Sequence, residues 1–361
     1  MTEPWLHIHP EFKLNEKAFA LEDLILLAEA LQLEGDKEEK EISEFLLEWL
    51  YPKNTLLMNT SGSTGSPKTI VLEKEKMIAS AKATGEFFDL PAGTDALLCL
   101  SVNYIAGKMM LVRAMMHGWH LDIVSPNKQP LLQTIKSYDF AAMVPMQVQH
   151  SLKELHRVKK IIVGGAPVSA VLEKQLQEVP SKVFATYGMT ETITHVAIRK
   201  LNNKTETEIK IKAYEALPGV TFEVDSRNCL VIHAPAISKK KINTNDVVVL
   251  LSKTQFQWLG RADFVINSGG HKVYPEQVEQ VLALVIDVPY FISSIPDKSL
   301  GEKVILIIEG NKDAFPEIEY LGLHPYEKPK EIYFVKSFSY TTTGKINREE
   351  TKKKIATLEG F

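Results

Sequence analysis

Apolar positions recur every three or four residues along residues 17–50, and charged positions fill the gaps between them. This spacing places the apolar side chains on one face of an α-helix. The polar run 34–37 interrupts the pattern. Two amphipathic helices are therefore predicted, with apolar positions at Leu21, Leu24, Leu27 and Leu31 in the first and at Ile42, Phe45, Leu46 and Trp49 in the second.

Short runs rich in β-forming residues alternate with helical segments from residue 55 to about residue 250. This alternation is typical of a layered α/β domain with largely parallel strands. The predicted strands are 55–58, 69–72, 96–101, 121–124, 140–144, 160–163, 182–186 and 230–233.

Beyond Gly260 the pattern changes. The turn 268–270 predicts a hairpin, and a helix is predicted from Pro275 to Leu284, with the proline in its first turn, where proline is tolerated. Strands near 290–295 and 303–309 follow, and then a basic tail.

The chain has 361 residues, which exceeds the usual size of one hydrophobic core. We therefore expect an α/β protein with a large layered N-terminal domain, residues 1–262, and a small C-terminal α+β domain, residues 263–361. A content of 45% hydrophobic and 24% charged residues is that of an ordinary soluble globular protein. The net charge of −3 gives no basic excess for binding nucleic acid or an anionic membrane. The sequence does not define an oligomeric state.

The two cysteines, Cys99 and Cys229, each lie within an apolar run. Buried, reduced thiols are expected there. The N-terminus lacks a basic region followed by an apolar core, and no apolar run approaches the roughly 20 residues that span a bilayer. We expect a cytoplasmic enzyme with no membrane insertion.

A hydroxyl-rich loop that ends in a lysine follows the predicted strand at 55–58. Glycines let backbone N–H groups turn inward, hydroxyls add donors, and the lysine supplies a positive charge for phosphate oxygens. Pro67 stands where a Walker loop requires its second glycine, so the run is not a P-loop NTPase signature. The candidate phosphate-binding residues are Thr60, Ser61, Gly62, Ser63, Thr64, Gly65 and Lys68.

The ordered run from Thr60 to Lys68 resembles the ATP-phosphate loop of the adenylate-forming superfamily, which includes acyl-CoA synthetases, luciferases and the adenylation domains of peptide synthetases. The resemblance implies ATP and Mg²⁺ as cofactors and a small C-terminal domain that rotates about a hinge. Only 59 residues precede Thr60, fewer than in most members, so a shortened N-terminal subdomain is expected.

The run 186–192 resembles the family's motif that closes over the acyl-adenylate. The resemblance implies that Tyr187 stacks on adenine, that Thr190 bonds a phosphate oxygen and that Glu191 holds Mg²⁺, a role that suits a carboxylate. The segment 164–166 matches the family's adenine pocket, although a plain tight turn explains it equally well in isolation. The implied nucleotide-binding residues are Gly164, Gly165, Ala166, Thr186, Tyr187, Gly188 and Met189.

A third candidate binding motif consists of Asp246 and, fifteen residues later, Arg261. An aspartate can accept two hydrogen bonds from a ribose diol, and an arginine adds donors to the same sugar or phosphate. The family usually has glycine where Asn245 stands, and we expect the turn to survive because asparagine tolerates a left-handed backbone. The resemblance makes Asp263 the hinge.

The C-terminal domain contains two further motifs. Gly269, Gly270 and Lys272 match the family's glycine turn. The resemblance implies that Gly269 and Gly270 face coenzyme A and that Lys272 is a catalytic residue in the second half-reaction, in which a thiol attacks the acyl-adenylate. Lys345 matches the catalytic lysine, which neutralises charge on the α-phosphate and pyrophosphate. Ser339 stands where the family has a proline. This difference weakens the local match, but the positive charge of Lys345 is retained.

The acyl pocket is expected along 100–107 and the helix 108–117, with Tyr104 at the thiol entrance. The run 107–113 resembles o-succinylbenzoyl-CoA synthetases, whose substrate carries two carboxylates. On an ideal helix Arg113 lies about 40° from Met109, whereas Lys108 lies about 140° away. Arg113 is thus the candidate anchor for the second carboxylate, unless it pairs with a surface acid. The candidate substrate contacts are Tyr104, Met109, Arg113, Thr192 and Thr194, with His195 less certain.

The resemblance implies an ATP-dependent acid–CoA ligase, most like the o-succinylbenzoate enzyme of menaquinone biosynthesis, acting on a small carboxylate, ATP and coenzyme A. The alternatives are a ligase for another aryl or short acyl acid, an adenylation enzyme that loads a carrier thiol, and a non-catalytic sensor of acyl-AMP. Retention of the charged residues argues against the sensor; these are Lys68, Glu191, Asp246, Arg261 and Lys345.

Overall fold

The structure is a computed structural model that describes residues 3–60, 68–312, 318–340 and 346–359. Within these residues the helices are α1 (Leu21–Glu34), α2 (Lys37–Leu50), α3 (Lys74–Phe88), α4 (Ile105–His117), α5 (Pro145–His150), α6 (Ala170–Gln175), α7 (Glu206–Lys210), α8 (Pro275–Leu282) and α9 (Arg348–Glu359).

The strands of the same residues, in chain order, are β1 (Lys13–Leu14), β2 (Lys17–Ala18), β3 (Thr55–Thr60), β4 (Lys68–Glu73), β5 (Asp95–Leu98), β6 (His120–Ile123), β7 (Tyr138–Met143), β8 (Val158–Val163), β9 (Lys182–Gly188), β10 (His195–Lys200), β11 (Ala213–Ala216), β12 (Thr221–Val224), β13 (Cys229–His233), β14 (Ile242–Ser252), β15 (Gln255–Arg261), β16 (Ile266–Ser268), β17 (His271–Val273), β18 (Tyr290–Asp297), β19 (Gly301–Glu309) and β20 (Glu331–Val335).

The two predicted N-terminal helices are confirmed as α1 and α2. The chain turns between them because Asp36 caps α2. Its carboxylate accepts a hydrogen bond of 2.9 Å from the Glu39 N–H, and the Glu39 carboxylate accepts one of 2.9 Å from the Asp36 N–H. The predicted apolar face of α2 is buried, with Trp49 and Leu46 inaccessible to solvent.

Within the described residues the main sheet has thirteen strands, in the order β12-β13-β14-β15-β11-β10-β9-β8-β7-β5-β6-β1-β2. Among these described strands, parallel pairing is confined to the run from β9 through β8, β7, β5 and β6 to β1. The expectation of largely parallel strands is therefore wrong for the half that runs from β10 to β12, which is antiparallel. Antiparallel strands need only short turns, so the helical crossovers on which the expectation rested stop after α6.

The predicted strands 55–58 and 69–72 also depart from expectation. They form the antiparallel hairpin β3–β4, which is separate from the main sheet. Five strands of the main sheet lay outside the strand prediction between residues 195 and 261; they are β10, β11, β12, β14 and β15.

Apolar side chains alternate between the two faces of the parallel strands, which makes the sheet the middle of three layers. Ala96 and Leu98 of β5 join the core beneath helices α1–α4. Leu97 of the same strand joins a second core, to which Val148 of α5 and Leu172 of α6 contribute.

The C-terminal part is a smaller sheet in the order β17-β16-β19-β18, with β20 parallel to β19. Helix α8 covers one face with Val278 and Leu282. Helix α9 covers the other with Ile355 and forms from the predicted basic tail. The glycine turn is confirmed: Gly269 and Gly270 have φ angles of +58° and +82°, which L side chains rarely adopt. Helix α8 ends two residues before the predicted Leu284.

The mixed α/β fold, with a large sheet-containing N-terminal part and a smaller C-terminal part, confirms the predicted fold class. Side-chain contacts from α8 join the two parts: Gln277 donates hydrogen bonds of 3.3 and 2.8 Å to the carbonyls of Trp258 and Leu259. The boundary near residue 262 stays a prediction. Cys99 and Cys229 are buried free thiols, as expected. Among the residues described, no helix is long and apolar enough to cross a membrane.

Candidate active site

The carboxyl ends of β8 and β9 bring two of the predicted nucleotide-binding segments together. The strands are parallel neighbours, with Val163 opposite Ala185, so Gly164 and Thr186 emerge at the same edge of the sheet. The Thr186 hydroxyl donates a hydrogen bond of 3.1 Å to the Val163 carbonyl. A Cβ atom on Gly164 would lie 2.6 Å from that hydroxyl, and Gly165 has a φ of +82°. The segment therefore presents backbone rather than side chains, which leaves room for a flat base.

Asp246 on β14 organises a hydrogen-bond group around a buried carboxylate. Its Oδ2 accepts a hydrogen bond of 2.6 Å from the Tyr187 hydroxyl, and its Oδ1 accepts one of 3.1 Å from the Trp258 indole N–H. Because each carboxylate oxygen can accept more than one hydrogen bond, Asp246 retains capacity for a diol. Burial and the Asp246 charge raise the pKa of Tyr187, so the phenol stays a donor at neutral pH.

Arg261 stands opposite Asp246 in the β14–β15 pairing. One guanidinium nitrogen lies 3.9 Å from Asp246 Oδ1, and another lies 3.0 Å from Asp263 Oδ2. The predicted ribose group and the predicted hinge residue are thus joined by one arginine.

Asn245, the departure from the family pattern, lies inside strand β14. It is absent from the residues with positive φ, so the expected left-handed turn is wrong. Its amide instead donates a hydrogen bond of 3.3 Å to Asp263, and its carbonyl oxygen accepts one of 3.2 Å from Arg227. Strand β14 pairs with β13 at Asn243 and Val247, on the two sides of Asn245, and with β15 from Asp246 onward, which holds this stretch in the strand.

The loop 189–194 is held by the buried Thr192. The Thr192 hydroxyl accepts a hydrogen bond of 2.9 Å from the Met189 N–H and lies 2.7 Å from the Thr194 carbonyl. Ile193 has a φ of +64°, an unfavourable conformation for a β-branched residue. Thr192 therefore fixes the loop that presents Thr190 and Glu191; its predicted contact with an acyl group stays a prediction.

Glu191 is exposed, and its carboxylate has no hydrogen-bond or ion-pair partner within the described part of the chain. No cluster of three His, Cys, Asp or Glu side chains that could hold a metal occurs among the described residues. A single carboxylate fits Mg²⁺ that takes its other ligands from phosphates and water, which is how this ion usually binds. The donor set therefore suits the predicted magnesium role.

Arg113 on α4 is 2% exposed, yet no carboxylate among the described residues pairs with it. Among the described residues its guanidinium has one hydrogen-bond acceptor, the sulfur of Met110 at 3.8 Å, and its Nε is buried without a partner. Burial lowers the pKa of Arg113 to about 10. The alternative that Arg113 pairs with a surface acid is wrong for this structure.

The other cation of α4 faces elsewhere, as the helical geometry predicted. Lys108 lies over the Phe45 ring of α2, 4.8 Å from its centroid. Met109 is fully buried, and Tyr104, just before the helix, is 65% exposed. Gly107 lets α4 approach the preceding segment, because a Cβ atom there would lie 2.4 Å from the Ser101 carbonyl oxygen.

His195 at the start of β10 is another buried polar group without a partner; its Nε2 makes no hydrogen bond to the described residues. Burial, and then the positive charge of Arg113, hold its pKa well below the usual value. The neighbouring Thr194 hydroxyl lies 2.6 Å from the Ser80 hydroxyl of α3.

Several predicted residues lie apart from this group or outside the described residues. Ser61, Gly62, Ser63, Thr64, Gly65 and Lys345 fall outside them. The backbones of Thr60 and Lys68 are paired across the β3–β4 hairpin. Gly269 and Gly270 form the β16–β17 turn, and the exposed Lys272 follows on β17; no hydrogen bond within the described part of the chain joins it to Asp246.

The sequence analysis missed Trp258 and Arg227, and it left His195 uncertain. A tryptophan in a half-buried strand needs an acceptor for its indole N–H, so Trp258 could have been paired with a nearby carboxylate. Arg227 gave no such indication, because its contact with Asn245 depends on the turn between β12 and β13.

The comparisons with known proteins agree with this geometry. Residues 15–224 match the family model described as AMP-binding enzyme. The chain belongs to the AMP-binding enzyme family. It is also similar to an acyl-CoA synthetase (AMP-forming)/AMP-acid ligase II-like protein from Dyadobacter fermentans, at 38% sequence identity. The match to the crystal structure of that protein has a TM-score of 0.62 and covers 91% of this chain and 98% of that one.

Two further similar proteins act on, or are named for, o-succinylbenzoate. A 2-succinylbenzoate–CoA ligase from Staphylococcus aureus is 26% identical over 333 residues, which cover 81% of this chain and 66% of the relative. This chain thus spans slightly less than two thirds of the length of the curated relatives it matches. The o-succinylbenzoate CoA synthetase MenE from Bacillus subtilis, in complex with OSB-AMP, shares the fold with a TM-score of 0.70 at 20% identity, over 82% of this chain and 68% of that one.

Proposed function

We propose that this protein is an ATP-dependent, AMP-forming acid–CoA ligase, and that its acid is a dicarboxylate of the o-succinylbenzoate class, as in menaquinone biosynthesis. Membership of the AMP-binding enzyme family supports the reaction type. The observation that carries the substrate class is the buried guanidinium of Arg113, which lacks a carboxylate partner among the described residues.

Burying an unpaired cation costs several kcal/mol, and an anionic group of a bound ligand would offset that cost. A planar guanidinium presents paired N–H donors that match a carboxylate. His195, buried and without a partner for Nε2, offers one more donor beside it. The proposed acid is adenylated at one carboxylate and held by Arg113 and His195 at the other.

In the first half-reaction a substrate carboxylate oxygen attacks the α-phosphorus of ATP, and the bond from that phosphorus to the bridging oxygen breaks, so that pyrophosphate leaves. The Gly164–Gly165 backbone and Tyr187 hold the base, and Asp246 and Arg261 hold the ribose. Lys345 and Thr190 stabilise charge that grows on the phosphate oxygens. Mg²⁺ at Glu191 supplies further neutralisation of the phosphates when it is bound.

In the second half-reaction the thiol sulfur of coenzyme A attacks the acyl carbonyl, the thiol proton is released to solvent, and AMP leaves with the electron pair of the broken C–O bond. We propose that the C-terminal part turns about Asp263 between the half-reactions, which replaces Lys345 at the site by the face of Gly269, Gly270 and Lys272. The exposed Tyr104 lies on the thiol side of the acyl pocket.

The test measures pyrophosphate release and thioester formation on a panel of acids: o-succinylbenzoate, benzoate and medium-chain fatty acids. Wild type is compared with Arg113→Ala, with Arg113→Lys and with Lys108→Gln, the matched control that alters the other cation of α4. We expect turnover of o-succinylbenzoate that falls at least about 100-fold in Arg113→Ala, because an unpaired substrate carboxylate would be buried, and that is unchanged in Lys108→Gln.

Equal turnover of monocarboxylates by wild type and Arg113→Ala would contradict the substrate class but leave the reaction type standing. Transfer to a phosphopantetheine carrier protein but not to coenzyme A would favour a carrier-loading enzyme. Nucleotide binding without pyrophosphate release from any acid would favour a sensor.

A further inference from the structure

Two neighbouring side chains at the start of helix α8 hold the end of strand β15. The Gln277 amide donates hydrogen bonds of 3.3 and 2.8 Å to the carbonyls of Trp258 and Leu259. The Glu276 carboxylate accepts one of 3.2 Å from the Arg261 N–H. Strand β15 precedes the proposed hinge residue in the chain and α8 follows it, so these hydrogen bonds bridge the hinge.

The strand end that α8 holds carries two partners of the buried Asp246. The Trp258 indole N–H donates a hydrogen bond of 3.1 Å to the Asp246 carboxylate, and a guanidinium nitrogen of Arg261 lies 3.9 Å from it. Gln277 and Glu276 bond the backbone of these same two residues. The contact between α8 and β15 is therefore linked to the geometry of the predicted ribose-binding group.

The Glu276 carboxylate also opposes this contact. Its Oε2 is buried without a hydrogen-bond partner among the described residues, and a Cβ atom on Gly260 would lie 2.4 Å from it. Burial raises the pKa of Glu276, although Arg348 and the hydrogen bond from Arg261 act in the opposite direction. Because a buried carboxylate oxygen without a partner is costly, release of α8 from β15 would rehydrate it.

The two neighbours thus act in opposite directions. The hydrogen bonds of Gln277 favour the contact of α8 with β15, and the burial of the Glu276 charge disfavours it. When opposing contributions of this kind are similar in size, a small change in either one shifts the equilibrium between two orientations.

We propose that Glu276 and Gln277 form a latch across the hinge. While it is closed, the latch holds the C-terminal part in the observed orientation and positions the two side chains that contact Asp246. Glu276 and Gln277 are positioning residues, because they act through the backbone of β15. The latch opens when the C-terminal part turns about Asp263. Its kinetic consequences rest on the proposed function, whereas the contact of α8 with β15 does not.

Two nearly isosteric substitutions should shift the latch in opposite directions. Gln277→Glu places carboxylate oxygens against two backbone carbonyls and should open it. Glu276→Gln keeps an acceptor for the Arg261 N–H, removes the buried charge and should close it further. Gln280→Glu is the matched control, because it makes the same change of charge on the same helix outside the latch.

Amide hydrogen exchange at Arg261 in the ligand-free protein measures the latch, because this N–H bonds the Glu276 carboxylate. We expect the exchange rate to rise about 10-fold in Gln277→Glu, to fall several-fold in Glu276→Gln and to stay unchanged in Gln280→Glu. An unchanged rate in both latch variants would overturn the latch. A change of the same sign in both, or an equal rise in Gln280→Glu, would overturn it as well.

Single-turnover rate constants for adenylation and for thioester formation from the isolated acyl-adenylate test the kinetic consequence. Their ratio should shift in opposite directions in Gln277→Glu and Glu276→Gln, because the two half-reactions use different orientations of the C-terminal part. The KM for ATP should rise several-fold in Gln277→Glu. A constant ratio would overturn the role of the latch in domain rotation, and an unchanged KM would overturn its positioning of the ribose-binding group.

The two measurements keep this inference separate from the proposed function. Exchange at Arg261 that responds as expected in a protein that adenylates no acid would support the latch and contradict the proposed function. Normal formation of a thioester by variants whose exchange at Arg261 equals that of wild type would overturn the latch and leave the proposed function standing.

Discussion

The Tyr187 hydroxyl donates a hydrogen bond of 2.6 Å to Asp246, which lies 59 residues further along the chain. Their strands, β9 and β14, are separated in the sheet by β10, β11 and β15. Four strand spacings in a flat sheet would amount to about 19 Å, far beyond the reach of two side chains. The antiparallel half of the sheet must therefore curl until its strands face one another.

Aromatic rings fill the inside of this curl. The Tyr187 ring meets Tyr214 of β11 at 5.7 Å and Phe256 of β15 at 5.1 Å, and Phe256 meets Phe222 of β12 at 4.9 Å. The tyrosine predicted to contact adenine is thus held by both a hydrogen bond and ring packing, which fixes its position before a nucleotide binds.

Tyr187→Phe should lower the free energy of unfolding by about 1–2 kcal/mol and raise the KM for ATP several-fold, because a hydrogen bond to a buried carboxylate is lost while the ring remains. Urea unfolding and initial-rate kinetics measure the two effects. Tyr51→Phe, which removes the hydroxyl of an exposed tyrosine, is the control and should change neither. A stability equal to wild type would mean that the Tyr187–Asp246 hydrogen bond contributes nothing in solution.

Arg113→Met should make the ligand-free protein more stable and the enzyme less active. Methionine fills a similar volume without a buried charge, so we expect the free energy of unfolding of the ligand-free protein to rise by about 1–3 kcal/mol. Turnover of a dicarboxylic acid should fall at the same time, because its second carboxylate loses its partner. Urea unfolding with and without the acid checks this prediction. A less stable ligand-free variant would show that the guanidinium already has a compensating partner.

Gly164→Ala should weaken ATP binding by at least about tenfold, because in the proposed site the base lies against the Gly164 backbone and an added methyl group would intrude on it. It should also destabilise the fold by about 1 kcal/mol or more, since the Cβ atom would lie 2.6 Å from the Thr186 hydroxyl oxygen. The double variant Gly164→Ala/Thr186→Ala removes that clash and should recover stability without recovering ATP binding. Calorimetric titration and thermal unfolding distinguish the two effects, and recovery of binding in the double variant would contradict the predicted role of Gly164.

Glu279 should make the stability of the protein depend on pH. Burial raises its pKa to about 7, although Arg348 at 2.8 Å and the Ile292 N–H act in the opposite direction; Glu276 adds to the rise. The folded protein therefore binds more protons than the unfolded chain between about pH 4.5 and pH 7. The contribution of Glu279 to the free energy of unfolding falls by at most about 3 kcal/mol as the pH rises through that window.

Glu279→Gln cannot titrate, so the difference in unfolding free energy, wild type minus variant, should decrease from pH 4.5 to pH 7. Urea unfolding at several pH values measures it. Tyr290 and Glu276, which also surround the carboxyl, remain in both proteins and cancel in the difference to first order. A difference that does not vary with pH would show that Glu279 is ionised throughout.

The sequence by itself determined the elements whose signals are local. The helical spacing gave α1, α2 and α4, and the glycine turn at 269–270 gave the β16–β17 hairpin. The helical geometry also placed Arg113 and Lys108 on different faces of α4, since the angle between two side chains around a helix depends only on their spacing in the sequence. The order of the motifs indicated the family, because residue types and their sequence can be read without a fold.

Only the tertiary structure decided how distant segments meet. Strand direction depends on which strands become neighbours, so the antiparallel half of the sheet and its curl were not readable from alternating runs of residues. Burial is likewise a property of the whole fold, and it left Arg113 and His195 without partners among the described residues. The contact of Glu276 and Gln277 with β15 joins segments on the two sides of the proposed hinge, which no local pattern brings together.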